Sequence, residues 1–374
     1  MDSVISESVI EISGNYISHI MFTKDFRPKT GYEIFDVSDM YAVPGFIDLH
    51  CHGGFGIDLA LNLDHGFEYF ASKLAATGTT TILLSLVGST KRNLIEVISK
   101  AVRLIRRGGY PRIAGLYLEG PFINPRRGGG IPADFVRPAT LGEAIDIFEA
   151  GEGHIKIVAI APEIEGVMEV VDFFHKNGVV VSMGHTECNY EEASRAFSNH
   201  FSHVTHLFNA MPDLRHREPG PVGAVFDSKD ATAELIFDCI HVHPSVINLS
   251  IKVLGHDRII FVTDSSPATG QPDGTYSFFG RKIKKDGVVV TGPNGLLAGS
   301  ALSMDVVLKN AMDIMACDIK AVNKLISANA AKRIGIYDRV GSIEEGKVAD
   351  INILDKDMNL RMCIFNGDVI YNEL

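Results

Sequence analysis

Eight times along this chain a short apolar, β-branched run is followed by a stretch with helical spacing. The runs are GFIDLH (45–50), TTILLSLVG (80–88), IAGLYLEG (113–120), KIVAIAPE (156–163), GVVVSMGH (178–185), SHVTH (202–206), AELIFDCIH (233–241) and IIFVTD (259–264). Between them lie helical patterns such as FEYFASKLAATG (67–78), NLIEVISKAVRLIRRG (93–108), EVVDFFHKNG (169–178) and PSVINLSIKVLG (244–255). Gly78, Gly108, Gly178 and Gly255 fall where those helices should stop. Strand and helix in regular alternation build parallel βα units, and eight of them predict an α/β fold of the (β/α)8 TIM-barrel type over residues 44–337. The two ends read differently. Residues 1–43 and 338–374 are short β-like pieces with polar breaks, and they are expected to pair into one small β-sandwich built from both termini.

The polar residues fall at the ends of the expected strands. The first run leads into His50 and His52, the third ends in Glu119, the fifth in His185, the sixth in His206, the seventh in His241 and the eighth in Asp264. In a (β/α)8 barrel the C-terminal strand ends open onto one face, so residues far apart in sequence converge on a single bowl. Any one of these histidines could be a hydrogen-bonded polar group at a strand end; so many on one face call for a shared reason. Neutral imidazole and carboxylate are the usual ligands of Zn2+ and Fe2+, and a catalytic site leaves a position open for water. The i, i+2 spacing puts His50 and His52 on one side of a strand, and Cys51 between them on the other. Glu119, His185 and His206 then supply three ligands. Asp264 is placed to act as a general base toward metal-bound water. The alternative is a helix N-cap, which Asp264 followed by Ser265, Ser266 and Pro267 would suit.

Charge and cysteine content narrow the partners. Thirty-five Lys and Arg against 46 Asp and Glu leave a formal charge of −11, which disfavours nucleic acid and anionic membranes. The acidic start MDSVISESVIEI has no signal-peptide pattern, and no apolar run is long enough to cross a bilayer. Five scattered cysteines without a Cys-x-x-Cys pair suit reduced thiols in the cytoplasm. No Gly-x-Ser-x-Gly elbow, Walker A or Rossmann glycine pattern occurs. The stretch RRGGG (126–130) is expected to be a mobile loop; Arg126 and Arg127 either draw an anion toward the bowl or are simply solvated.

The motifs PGFIDLHCHGG (44–54), GLYLEGPFINP (115–125), SMGHTE (182–187), THLFNAMPDLRHREPG (205–220), FDCIHVHP (237–244), FVTD with the SSPATG that follows it (261–270) and LLAGSALSMD (296–305) resemble those of the amidohydrolase superfamily. Within it, the chain is most similar to the N-acetylglucosamine-6-phosphate deacetylases, from about residue 42 to the end. The resemblance implies metal-dependent hydrolysis of a phosphorylated N-acetyl amino sugar, with one or two ions of Zn2+ or Fe2+ per subunit. It implies that Glu119, His185 and His206 bind the principal metal, and that His50 and His52 hold a second. Asp264 would be the catalytic acid/base, and His241 would polarise the carbonyl or contact the sugar. The main chain at Asn209 and Ala210 would hold the sugar phosphate. Arg217 would reach the substrate phosphate of a neighbouring subunit, which makes the expected assembly a homodimer.

The pattern departs from the family in two places. Ile131 stands where many members carry His or Gln near the substrate phosphate, and the N-terminal part before SVIEISGNYISHI is short. The galacto epimer of the substrate stays open, as do deaminase and N-acyl-amino-acid hydrolase activities. A cyclic-amide hydrolase with a modified lysine at the end of the fourth strand is disfavoured, because Lys156 lies at the beginning of that strand. A non-catalytic metal-binding scaffold would be expected to lack Asp264.

Overall fold

In the computed structural model, which describes residues 4–28, 30–315 and 317–374, eight parallel strands form one sheet in sequential order. They run Phe46–Cys51, Thr79–Val87, Arg112–Glu119, Ile155–Ile160, Val180–Met183, Phe201–Val204, Thr232–Ile236 and Ile259–Val262. Every residue of the first two is buried, as expected of strands covered by helices outside and packed side chains within. Helices on the outer face stop as the glycines indicate: Gly78, Gly108, Gly178 and Gly255 all take positive φ, between 69° and 75°.

The sheet closes where the eighth strand meets the first. His50 O accepts from Asp264 N (2.9 Å), and Ser265 O accepts from His52 N (3.1 Å). Below that level the Asp48 carboxylate takes the place of the ladder. It accepts from Thr263 N (3.2 Å), Thr263 Oγ1 (2.5 Å) and His50 N (3.2 Å). The seam therefore joins directly beneath His50, His52 and Asp264.

A four-stranded antiparallel sheet pairs Tyr41–Pro44 with Ile351–Leu354, Leu360–Phe365 and Asp368–Asn372, so both termini contribute to it. The hairpin Ser8–Ser13/Tyr16–Phe22 forms a second sheet, and Ile17, Ile351, Ile353, Met362 and Ile364 share a core with Ile10, Ile12 and Ile20. The barrel is tied to this domain by Arg112, which pairs with Asp350 and donates to Asn366 Oδ1 (2.7 Å).

Three features depart from the expected elements. The fifth, sixth and seventh strands stop at Met183, Val204 and Ile236, before the histidines thought to end them. His185 and His206 follow in left-handed conformations (φ 49° and 29°), which turn the chain sharply out of the sheet. His241 lies in a turn made by the Asp238 carboxylate, which accepts from Ile240 N (2.9 Å) and His241 N (2.8 Å). After the eighth strand an unexpected three-stranded meander appears: Gly274–Phe278, Arg281–Asp286 and Val289–Thr291. Among the described residues no helix is long and apolar enough to cross a membrane.

Candidate active site

The bowl at the C-terminal end of the barrel gathers two contiguous donor groups. Glu119, the last residue of the third strand, points Oε1 at His185 Nε2 (2.7 Å) and at His206 Nε2 (3.1 Å). Beside it His50 Nε2 and His52 Nε2 lie 3.0 Å apart, with Asp264 Oδ1 at 3.6 Å and 3.2 Å from them. The donor atoms within each trio stand within 4.8 Å of one another, and all six residues are buried. Glu119 belongs to both groups in space, since its Oε2 is 3.5 Å from His52 Nε2.

The ring tautomers decide whether these residues suit a cation. His185 Nδ1 donates to Arg127 O (2.7 Å) and His52 Nδ1 to Ser85 O (3.2 Å); a carbonyl oxygen can only accept. His50 Nδ1 faces Glu234 Oε2 at 3.0 Å. With the Nδ1 proton committed outward, each of these rings turns an Nε2 lone pair inward. The facing Nε2 lone pairs of His50 and His52, 3.0 Å apart, repel unless a cation, proton or metal ion, lies between them. Burial disfavours a charged His50, yet Glu234, Asp264 and Glu119 outweigh it and raise the imidazole to about 10, so the carboxylates around it draw positive charge, either a proton on His50 Nε2 or a metal ion in its place. His206 Nδ1 is buried without a partner among the described residues. An all-nitrogen-and-oxygen set of this kind fits a divalent metal ion.

Asp264 sits at φ 48° at the seam, and its carboxylate accepts no backbone N–H among the described residues, so the helix-cap alternative is dropped. Cys51 turns the other way, its Sγ 3.3 Å from Ser265 Oγ, and burial together with the Asp48 charge lifts its thiol to about 12. It is neither a donor to the centre nor reactive. All five cysteines are free. Lys156 is the second residue of the fourth strand, at the far end of the barrel.

Several supporting residues escaped the sequence reading. Glu234, inside the apolar run AELIF, accepts from His203 Nε2 (3.0 Å) and His206 N (3.2 Å) besides facing His50. The visible signal was a carboxylate in an otherwise buried strand. Asp238 Oδ2 lies 2.6 Å from His241 Nδ1, which commits that nitrogen and leaves the Nε2 lone pair available. Although burial disfavours its charge, Asp238 and Asp264 raise the His241 pKa. Glu163 anchors the His185 loop by accepting from Glu187 N and Thr186 Oγ1, both at 2.6 Å.

The loop after the sixth strand carries positive φ at His206, Phe208 and Ala210. Ala210 O accepts from Thr186 N (3.1 Å), whereas the Ala210 N–H donates to no group among the described residues. Asn209 Nδ2 is turned inward, 3.3 Å from His206 O and Leu207 O. Arg217 stands exposed on the same excursion, without a hydrogen bond or ion pair among the described residues. The glycine-rich loop lies against the site: a Cβ at Gly129 would stand 3.8 Å from His185 Cε1. Arg127 pairs with Glu187, while Arg126 is exposed. Ile131 is buried with Val87 and Ile123.

Residues 41–370 match the model of the amidohydrolase family. The N-acetylglucosamine-6-phosphate deacetylase of Bacillus subtilis (strain 168) is 34% identical, over 99% of this chain and 94% of its own length. The N-acetylgalactosamine-6-phosphate deacetylase of Escherichia coli O157:H7 is 30% identical, over 87% of this chain and 86% of its own. Among solved structures, an N-acetyl-D-glucosamine-6-phosphate deacetylase variant from Mycobacterium smegmatis, in complex with N-acetyl-D-glucosamine 6-phosphate, superposes with a TM-score of 0.91. It is 28% identical, over 97% of this chain and 94% of that one.

Proposed function

The chain belongs to the amidohydrolase family, whose members depend on divalent metal, and we propose that it hydrolyses N-acetylglucosamine 6-phosphate to glucosamine 6-phosphate and acetate. The observation that carries this reading is the pair of adjoining donor groups with Glu119 between them and Asp264 facing both histidines of the first strand. Glu119, His185 and His206 are assigned to the principal ion, Zn2+ or Fe2+, and His50 and His52 to a second. A bound divalent ion supplies Lewis-acid polarisation and brings the pKa of bound water toward neutrality.

The chain's own groups divide the remaining work. Asp264 takes the proton of the attacking water and returns it to the amine nitrogen as the C–N bond breaks. His241, held by Asp238, directs Nε2 at the acetamide oxygen and stabilises the charge that grows there. The unpaired Ala210 N–H and the adjacent Asn209 form a seat for the sugar phosphate. Arg217 is assigned to the phosphate in a neighbouring subunit, which makes the working form a homodimer. Its exposure in one chain suits that role.

Acetate release from N-acetylglucosamine 6-phosphate, and from its galacto epimer, tests the reading with and without chelator. Chelator-sensitive release from the gluco substrate supports it. Preference for the epimer would assign the chain the chemistry of its Escherichia coli relative instead. Release from neither overturns both.

A further inference from the structure

The bowl has two unlike sides. Toward the sixth strand lie Asn209 and the unpaired Ala210 N–H. Toward the first three strands lies a buried apolar cluster of Val87, Ile123 and Ile131, against which the half-buried Phe279 packs. Phe279 arrives from the tip of the meander after the eighth strand. Phe278 pairs with Arg281, so the turn between them holds only Phe279 and Gly280, at φ 50° and 74°.

Two successive residues at positive φ make the turn that joins tight hairpins, and Asn-Gly is its preferred sequence. A bulky aromatic at the first position is unusual and locally unfavourable. The surroundings hold it there nonetheless. Phe279 N donates to Asp58 Oδ2 (2.8 Å), and Asp58 is itself buried and caps the helix beginning at Leu59. The ring stacks on Phe278 (centroids 3.8 Å apart, planes at 27°) and meets His52 edge-on (5.2 Å, 85°). It stays half-buried, in contact with one ring of the donor cluster.

A substrate whose phosphate lies on the Ala210 side extends its acyl group across the centre, toward this apolar cluster. We propose that Phe279, backed by Ile131, walls the acyl subsite and sets the size of the N-acyl group accepted, which places Ile131 on the acyl side of the centre and not beside the phosphate as the family resemblance implies. This rests on the functional reading above, with the acetamide carbonyl at the donor cluster.

The test compares kcat/KM for N-acetyl-, N-propionyl- and N-butyryl-glucosamine 6-phosphate. Phe279→Asn restores the favoured Asn-Gly turn, so the hairpin is kept while the ring is lost; Phe279→Ala and Ile131→Ala widen the wall by different amounts. One methylene in an apolar pocket typically changes kcat/KM by about 10- to 200-fold. The butyryl-to-acetyl ratio should therefore rise about 10-fold or more in both Phe279 variants, and by less in Ile131→Ala. A purely structural role would lower all three substrates together. An unchanged ratio in variants that keep wild-type melting and metal content overturns the inference alone. Failure of the unsubstituted protein to release acetate overturns the functional reading, and this inference with it.

Discussion

His50 Nδ1 lies 3.0 Å from Glu234 Oε2, and neither side chain is exposed. The same carboxylate holds His203 and the backbone of His206, so one residue of the seventh strand orients groups from the first and the sixth. Its pKa is lowered: burial opposes ionisation, but the charge and hydrogen bonds of His50 and His203 outweigh it.

Glu234→Gln preserves the shape and removes the charge. Loss of such an outer partner typically costs about 10- to 100-fold in metal affinity. Chelator competition on the metal-loaded variant should show that loss, concentrated in the more weakly held equivalent. Unchanged affinity for both equivalents would show that Glu234 is only a packing residue.

Asp264→Asn removes the proton acceptor and keeps the backbone bonds of the seam. A fall in kcat of about 10²- to 10⁴-fold is expected, with metal retained at Glu119, His185 and His206. Elemental analysis beside steady-state rates checks it. Near-normal turnover would remove Asp264 from the chemistry.

With His241 polarising the acetamide as proposed, Asp238 acts on catalysis only through that ring. Asp238→Asn should lower kcat more than it changes KM, because the ring loses its fixed orientation. Combining it with His241→Asn should cost no more than His241→Asn alone. Additive losses would indicate a separate role for Asp238.

The Arg112–Asp350 pair couples the barrel to the β-sandwich, with the two side chains 16% and 3% exposed. Asp350→Ala leaves a largely buried guanidinium unpaired, an effect typically worth about 3–5 kcal/mol. The urea midpoint should fall clearly, while kcat per folded molecule stays near wild type. An unshifted midpoint would mean that the domains are held together elsewhere.

The alternating pattern was legible because strands covered on both faces are built mainly of apolar and β-branched residues, as is TTTILLSLV, which is buried throughout. The residues of both donor trios were legible for a related reason, since His and acidic residues recur where the apolar runs end and the strands open onto the bowl. The boundaries were not. His185 and His206 lie beyond the last ladder bonds, and their left-handed turns depend on contacts such as Glu163 with Glu187 N. Partners that act across the fold were also hidden: Asp48 and Thr263 lie 215 positions apart. The meander went unread because RKIKKD has no apolar run and its strand is largely exposed.

The most direct measurement is acetate release from N-acetylglucosamine 6-phosphate by metal-stripped protein as Zn2+ or Fe2+ is added back, in the wild type and in Glu119→Gln. Release should be absent without metal, return with the added ion in the wild type, and stay low in Glu119→Gln at the same metal concentration. Full release by the stripped protein, or equal recovery in Glu119→Gln, would contradict a centre built on Glu119, His185 and His206.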